Sequence, residues 1–334
     1  MRIIFDLRKT GLGNNGGSST LIKSGNTLAD MGHEVTFADS MKNRHTWTPL
    51  KAIHKRIKTD GQLPDADAII ATGYKSVGPT INAPERCGIK MHWIRAWEHW
   101  QMTDEQIVKK VLRVPTVKLV NSICLQNKLK VYDTESYIIR PGYDYDQIFP
   151  TYTRGGKKII IGGLYREGVH GNRKRTDWLF QTVRVLKTSN QDIEFWLFGS
   201  ESKPKNFLVD HYLQSPSMER KNDFYNKVDV WMAPTMSEGL HMPPAEAMLT
   251  ECPVVATNAE LSGTQDYVIH KQTGLVSKNK LEDFIRKVGF MVKNKEDRIK
   301  MGKEARKKII SLGDRKENMK RLTDLIETLN EGTK

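Results

Sequence analysis

Two glutamates, Glu238 and Glu246, stand eight positions apart in a segment that could bind an anion. A Gly-Leu-His turn and a Pro-Pro pair lie between them, and prolines suit the first turn of a helix, where a missing N–H is harmless. The residues just before the prolines then present free backbone N–H groups, which attract a phosphate. Glu246, about a turn into this helix, suits the hydroxyls of a ribose. The segment therefore indicates a nucleoside diphosphate site, with a helix cap and a solvated face as the alternative interpretation.

The run 237–248 resembles the Glu-x7-Glu signature of retaining nucleotide-sugar glycosyltransferases of the GT-B fold, close to glycosyltransferase family 4. The flanking sequence is similar as well, with Trp231-Met-Ala-Pro-Thr before the run and Cys252-Pro-Val-Val-Ala-Thr and Gln272-Thr-Gly-Leu-Val after it. The resemblance implies two Rossmann-like parallel-sheet domains that face each other across a cleft. It also implies a C-terminal helix that crosses back to the first domain.

Alternating apolar runs and helical stretches over 334 residues predict an α/β protein of two domains. We assign residues 1–150 to an N-terminal acceptor-side domain, 151–316 to a C-terminal domain that binds the nucleotide sugar, and 317–334 to the returning helix. The linker is predicted at the polar, glycine-rich segment 152–157. The predicted strands are 3–7, 32–38, 68–72, 89–94, 117–122, 158–163, 193–198, 228–233, 253–257 and 274–276. A first helix is predicted to be capped by residues 18–20. The other predicted helices are 177–186, 281–293, and 296 to about 329, the last with a break at Gly313.

A glycine-rich loop with Gly11, Gly13, Gly16 and Gly17 follows the first predicted strand, so the backbone can come close to a ligand there. The spacing also fits a dinucleotide-binding string, with Asp39 near the end of the second strand. A nicotinamide-binding protein is therefore a competing interpretation. By the resemblance, Gly16 and Gly17 instead lie against the diphosphate and the transferred sugar of the donor.

The resemblance also implies that an arginine and a lysine hold the phosphates of the donor, in the segment 162–179. Lys174 matches the lysine by its distance to the following apolar helix. Arg166 is our choice for the arginine, and Arg173 is the reserve. Cations at the mouth of a parallel strand can neutralise the charge of a departing diphosphate. A basic surface loop is the alternative interpretation.

Further donor contacts are implied by the resemblance. Gly199 ends a strand where the family places a base-binding turn. Glu238 is expected to hold hydroxyls of the transferred sugar. The backbone N–H groups of Leu240, His241 and Met242 are expected to bind the distal phosphate. The His241 side chain could contact sugar or phosphate, and its charge would add pH sensitivity.

The segment 92–101 is the densest group of candidate residues in the first half. Many relatives carry a His-Asp or similar element here, facing the transferred sugar, but this chain has no aspartate in the segment. Glu98 and His99 are therefore the catalytic candidates on the acceptor side. Trp93 is predicted to pack in the core. An Asp-x-Asp string occurs in the interdomain exit, and no metal site is assigned.

The 53 lysines and arginines against 39 acidic residues give a net charge of +14, which favours a polyanionic neighbour such as nucleic acid or an anionic membrane. The basic, partly amphipathic segment 44–58 is the candidate for peripheral contact with an anionic membrane. No run of about eighteen apolar residues occurs, so no integral membrane segment is predicted. Three widely spaced cysteines and an N-terminus without a cleavage pattern predict a cytoplasmic protein, with the inner face of the membrane as a second location.

These features predict a retaining glycosyltransferase of the hexosyltransferase type, which moves a sugar from a UDP- or GDP-sugar to an acceptor hydroxyl. No cofactor besides the nucleotide-sugar donor is expected. The predicted acceptor is a glycan or a membrane-linked glycolipid. A DNA-modifying glycosyltransferase that acts on a hydroxylated base is the first alternative. A non-catalytic sugar-nucleotide or nucleic-acid binding protein is the second.

Overall fold

The computed structural model describes residues 1–13, 15–40, 48–100, 102–151, 156–166, 172–189, 192–205 and 207–332. The chain forms two compact units. Unit 1 is Met1–Gly142 together with the C-terminal segment from Gly313, and unit 2 is Tyr143–Leu312. The predicted linker at 152–157 falls largely outside the described residues.

Unit 1 is built on a parallel sheet of seven strands in the order β3-β2-β1-β4-β5-β6-β7. These strands are β1 (Arg2–Asp6), β2 (Glu34–Asp39), β3 (Ile53–Arg56), β4 (Ala68–Ala71), β5 (Ile89–Ile94), β6 (Val117–Val120) and β7 (Tyr137–Ile138). The α-helices of this unit are α1 (Gly16–Asp30), α2 (Tyr74–Ile81), α3 (Asp104–Ile107), α4 (Ile123–Lys130) and, from the end of the chain, α10 (Arg315–Glu331). A π-helical turn, Val108–Leu112, continues α3. The order reverses direction between β1 and β4, as in a doubly wound sheet.

The last helix, α10, belongs to unit 1. Its side chains Met319, Leu322 and Ile326 are fully buried and share one core cluster with Ile3 and Phe5 of β1. Gly313, at φ 91°, separates α10 from the preceding helix, which confirms the predicted break. Unit 1 is therefore assembled from two distant parts of the chain.

Unit 2 repeats the architecture with a parallel sheet of six strands in the order β10-β9-β8-β11-β13-β15. These strands are β8 (Ile159–Leu164), β9 (Ile193–Gly199), β10 (His211–Gln214), β11 (Val230–Ala233), β13 (Val254–Thr257) and β15 (Gly274–Ser277), and a separate parallel pair is formed by β12 (Ser237–Glu238) and β14 (Leu261–Ser262). The helices are α5 (Thr176–Ser189), α6 (Met218–Lys227), α7 (Met242–Leu249), α8 (Leu281–Lys293) and α9 (Lys295–Ser311).

Two asparagines of α6 fix the segment that enters unit 2. The Asn222 side chain accepts a hydrogen bond from Phe149 N (3.0 Å). Asn226 accepts one from Thr151 N (2.7 Å) and donates to the carbonyl of Phe149 (2.9 Å). Tyr143, fully buried in the same core cluster as α6 residues, adds an apolar anchor. These contacts explain why unit 2 begins at Tyr143 rather than after the exit segment.

Three local predictions are corrected by the structure. Helix α1 is capped by Asn15, whose side chain accepts from Ser18 N (3.0 Å), and not by the serines and threonine of 18–20. Residues Ile53–Arg56, within the segment predicted to be amphipathic, form an edge strand that pairs with β2; residues 44–47 of that segment lie outside the described residues. The strand His211–Gln214 was not predicted, because its short, mixed sequence carries no clear period of alternation.

Candidate active site

The sheet of unit 2 reverses its direction between β8 and β11. In such sheets the loops at the carboxyl ends of these two strands diverge and leave a crevice for a ligand. Lys174 follows β8, and Glu238 follows β11. The rule for open α/β sheets therefore points to the same residues as the sequence motif.

Lys174 and Glu238 form an ion pair between the lysine ammonium and the carboxylate Oε1. Both side chains are mostly buried, with exposed fractions of 16% and 15%. Burial alone raises the pKa of Glu238, but the charge and hydrogen bond of Lys174, together with the charge of Arg173, outweigh burial, so its pKa is lowered. Glu238 is therefore a carboxylate next to a lysine ammonium at neutral pH.

The start of α7 lies beside this pair, and the Pro-Pro pair occupies its first turn as predicted. The residue before the helix is His241, which adopts the left-handed conformation (φ 59°, ψ 70°). Its Nδ1 lies 3.1 Å from Thr235 Oγ1. Burial, together with the charge of Lys174, lowers the pKa of His241 to about 3. The ring is therefore neutral at physiological pH. The expectation that a charge on His241 adds pH sensitivity is corrected.

Glu246 is held by two residues of α6 that the sequence analysis did not identify. Tyr225 OH donates to Glu246 Oε2 at 2.8 Å, and Lys221 Nζ lies 3.6 Å from the same oxygen. Burial and the adjacent Glu246 raise the pKa of Tyr225. Lys221 and Tyr225 are four positions apart on one helix, so their spacing places them on one face. That spacing was the available signal, but nothing in the sequence indicates that this face meets α7.

The two candidate arginines lie in different surroundings. Arg166 pairs with Glu201 (3.1 Å) and contacts Ser200, beside the turn at Gly199. Arg173 contributes to the lowered pKa of Glu238. The reserve choice, Arg173, is thus the arginine whose charge acts on the Lys174–Glu238 pair.

Gly199 ends β9 where a side chain does not fit. A Cβ at this position would lie 2.5 Å from the carbonyl oxygen of Tyr165. The following turn is fixed by Tyr212 OH, which donates to the carbonyl of Glu201 (2.5 Å). The backbone at the predicted base-binding turn is therefore tightly constrained.

In unit 1, Gly16 and Gly17 form the first turn of α1. The guanidinium of Arg95 donates to the carbonyl of Gly17 (2.6 Å) and to that of Thr72 (2.9 Å). Arg95 thereby ties the glycine loop after β1 to the end of β4, the two strands between which this sheet reverses direction. We did not predict this role, because its partners are backbone carbonyls that no motif reveals.

Glu98 and His99 both follow β5 but differ in environment. Glu98 Oε2 accepts from Tyr74 N at the start of α2 (3.4 Å), and burial raises the pKa of Glu98 despite the nearby Arg95. His99 is exposed and lies against the ring of Trp100, with centroids 5.5 Å apart. Trp93 is fully buried, as predicted.

Asp39 does not support the nicotinamide alternative. Its carboxylate is buried and lies 3.2 Å from Nε2 of His54, on the neighbouring edge strand. A dinucleotide-binding domain needs this acid to meet a ribose hydroxyl. Here the acid joins two strands instead.

Comparison with known proteins shows what the second unit is similar to. Residues 158–294 match the family model of the glycosyl transferases group 1. A region of 141 residues is also 26% identical to the capsular polysaccharide biosynthesis glycosyltransferase CapM of Staphylococcus aureus, and it covers 39% of this chain and 37% of CapM.

Solved structures that resemble the whole chain show the fold. The sucrose-phosphate synthase of Thermosynechococcus elongatus superimposes with a TM-score of 0.77 at 14% identity, over 99% of both chains. HepE of Anabaena, in complex with UDP-glucose, superimposes with a TM-score of 0.74 at 13% identity, over 98% of this chain and all of HepE. The group 1 segment thus lies within a chain of the GT-B fold, as the motif implied.

Across the described ranges, no helix is both long and apolar enough to cross a membrane. Within the same ranges, no three histidine, cysteine, aspartate or glutamate side chains group as a metal site.

Proposed function

We propose that the protein is a retaining glycosyltransferase that moves a sugar from a nucleotide-diphosphate sugar to an acceptor hydroxyl. The Lys174–Glu238 pair carries this proposal, because it places a cation and a carboxylate at the reversal point of the group 1 sheet, next to a helix start. An anion is favoured at such a helix start, and a carboxylate beside it can accept hydrogen bonds from sugar hydroxyls.

In this mechanism the diphosphate leaves toward positive charge. Lys174, with Arg166 or Arg173, and the N–H groups of Leu240 to Met242 stabilise the departing phosphate. Glu238 holds the hydroxyls of the transferred sugar. The acceptor hydroxyl gives its proton to the leaving phosphate on the same face of the sugar, so configuration is retained without a strong protein base.

We assign the nucleoside to the part of the site around Glu246 and the turn at Gly199. Glu246, positioned by Tyr225, accepts from the ribose hydroxyls, and Lys221 balances its charge. The turn at Gly199 lies at the end of a neighbouring strand and contacts the base. We assign the acceptor side to unit 1, where Gly16 and Glu98 lie at the carboxyl end of the sheet.

Thermal stabilisation by a nucleotide panel tests the donor assignment. UDP, GDP, ADP and their sugars are compared with NAD(H), and UDP is the first choice because HepE is described with UDP-glucose. A ligand at one hundred times its Kd stabilises a protein by about 2.7 kcal/mol, which is measurable as a rise in Tm. A rise with NAD(H) and with none of the sugar nucleotides would overturn the proposal.

Slow donor hydrolysis separates an enzyme from a binding protein. We expect the wild-type protein to release nucleotide from its donor in the absence of acceptor, and Glu246→Ala to abolish this release. The anomeric configuration of the transfer product, measured by NMR, decides between retention and inversion. Nucleotide binding without any turnover would favour the non-catalytic alternative.

For the acceptor we propose a glycan or a membrane-linked glycolipid, with the protein in the cytoplasm or at the inner face of the membrane. The support is the charge of +14, the exposed Lys55 and Arg56 of the edge strand, and the likeness to a capsular polysaccharide enzyme. Charge attraction to an anionic surface contributes about 1 kcal/mol per basic residue near it and weakens with salt.

The membrane proposal is tested with vesicles of phosphatidylglycerol and phosphatidylcholine. Lys55→Glu/Arg56→Glu should weaken sedimentation with anionic vesicles while nucleotide binding stays unchanged. The matched control, Lys303→Glu/Lys307→Glu, makes the same change of charge on exposed residues of α9. Salt-sensitive binding to duplex DNA, with no binding to vesicles, would favour the DNA-modifying alternative.

A further inference from the structure

The turn between Glu238 and α7 is supported by a second segment, Leu261–Tyr267. Strand β14 pairs in parallel with β12, which brings Ser262 opposite Glu238. Gly263 then packs directly on the turn: a Cβ there would lie 2.4 Å from the carbonyl oxygen of Gly239 and 2.5 Å from Leu240 Cα. The absence of a side chain at 263 is therefore required for this close backbone approach.

Tyr267, at the end of this segment, contacts the same turn from the core. The residue is fully buried. Its hydroxyl donates to the carbonyl of His241 at 2.6 Å and lies 3.2 Å from the carbonyl of Leu240. One phenol thus contacts the two consecutive carbonyls that precede α7.

The orientation of these carbonyls determines where two N–H groups point. A trans peptide is planar, so its C=O and N–H point in opposite directions. The carbonyl of Leu240 belongs to the same peptide as the N–H of His241, and the carbonyl of His241 to the same peptide as the N–H of Met242. With the carbonyls turned toward the core hydroxyl, both N–H groups point away from it.

The conformation of His241 makes this support necessary. At φ 59° a residue with a Cβ is disfavoured relative to glycine. The surrounding contacts must therefore hold the turn, and such residues cluster at ligand sites. Thr235 contacts the ring of His241, and Tyr267 donates to the backbone carbonyl of the same residue.

We infer that Tyr267 is a positioning residue, which orients the N–H groups of His241 and Met242 toward the phosphate of the donor. This inference rests on the proposed function. Tyr267 does not contact the donor itself; it acts through the two peptide planes at the start of α7.

The test is Tyr267→Phe, measured in two ways. Hydrogen exchange in the free protein reports the turn alone, and we expect faster exchange at His241 and Met242. Affinity for UDP and GDP reports the phosphate site, and we expect a five- to tenfold loss, about the effect of one hydrogen bond. The donor KM should rise by a similar factor while kcat changes less.

Two further variants separate positioning from a general loss of stability. Gly263→Ala disturbs the turn from its other side and should lower nucleotide affinity in the same way. The control, Tyr132→Phe, removes a hydroxyl hydrogen bond to Asp104 in unit 1 and should leave nucleotide affinity unchanged.

Unchanged exchange and unchanged nucleotide affinity in Tyr267→Phe would overturn the inference. If the wild-type protein binds no nucleotide diphosphate, the proposed function fails, and with it the assigned purpose of the turn. The exchange measurement still decides in that case whether Tyr267 fixes the two peptides.

Discussion

Lys174 and Glu238 show how a single pair of side chains couples stability to the proposed chemistry. Each neutralises the other in a mostly buried position. Removal of one partner from such a pair leaves a charge that water cannot fully solvate. The pair therefore has two roles: the cation meets the phosphate, and it keeps the carboxylate charged.

We predict that Lys174→Met lowers the transfer rate about 100- to 1,000-fold, as for the loss of one group that stabilises charge in the transition state. Lys174→Arg should retain part of the rate, because it keeps the charge. The measurement is kcat/KM for the donor identified in the nucleotide panel. A rate for Lys174→Met equal to that of the wild type would contradict the assigned role.

The same variant has a pH signature in stability. The pKa of Glu238 is lowered in the folded state, so the pair contributes stability above the ordinary value of 4.5 and loses it as the pH falls through the lowered pKa. Lys174→Met should therefore be less stable than the wild type at pH 7 by about 1–3 kcal/mol. Urea unfolding at pH 7 and near pH 4 measures the difference in the free energy of unfolding between the wild type and the variant. This difference should be smaller at the lower pH.

His92 gives unit 1 a separate pH dependence. The ring is fully buried within β5, and burial, with Lys118 and Arg95 nearby, lowers its pKa to about 3. The unfolded chain takes up a proton near pH 6.5 and the folded unit does not, so stability falls as the pH falls between these values.

We predict that His92→Leu removes this dependence. At pH 5 the titration of one such histidine costs about 2 kcal/mol, at about 1.4 kcal/mol per pH unit. Unfolding curves at pH 7 and pH 5 should show that the free energy of unfolding falls less in the variant than in the wild type. Equal losses would mean that His92 titrates normally in the folded protein.

At the scale of elements, α10 is the clearest case of structure built from distant sequence. Arg315 begins this helix and donates to the carbonyl of Pro141 (2.8 Å). Gly142, at φ 78°, lies directly against the helix start, and a Cβ there would be 2.3 Å from Arg315 Cα. The backbone at Pro141 and Gly142 therefore packs closely against the start of α10.

We predict that Gly142→Ala destabilises unit 1, because it adds both backbone strain and a steric conflict with α10. A loss of about 2–4 kcal/mol is expected from these combined effects. The control is Gly61→Ala, at an exposed position of unit 1 with open space around it, where alanine should change the free energy of unfolding by less than about 0.5 kcal/mol. Circular dichroism during urea unfolding measures both variants.

At the scale of the whole molecule, only unit 2 is continuous in the chain. Among the described residues, the two core clusters of unit 2 contain side chains from 143–312 alone. Unit 1 needs α10, whose buried Met319, Leu322 and Ile326 complete its core. The chain therefore cannot be divided at one point into two independent domains.

We predict that a fragment of residues 143–312 folds and binds the nucleotide diphosphate, whereas a fragment of residues 1–142 does not fold. The second fragment exposes the apolar surface that α10 covers, and this surface favours aggregation. Size-exclusion chromatography and thermal unfolding of both fragments measure the outcome. A folded, monomeric fragment 1–142 would show that α10 is dispensable for unit 1.

Local sequence signals were sufficient for most elements. The strands of both central sheets carry apolar runs, and α8 (Leu281–Lys293) was predicted with its observed bounds. The Pro-Pro pair located the start of α7, since proline is favoured in the first turn of a helix. Edge strands β3 and β10 escaped prediction because a half-exposed edge carries weak alternation.

The sequence by itself determined the α/β class, the resemblance to GT-B glycosyltransferases and the Glu238–Glu246 segment, because periodicity, helix caps and motif spacing are properties of neighbouring residues. Only the tertiary structure shows that the charge of Arg173 lowers the pKa of Glu238, that Arg166 pairs with Glu201, and that burial lowers the pKa of His241. It also decided that Tyr225 supports Glu246. Ion pairs and pKa values depend on burial and on side chains from distant elements, and no spacing along one segment encodes them.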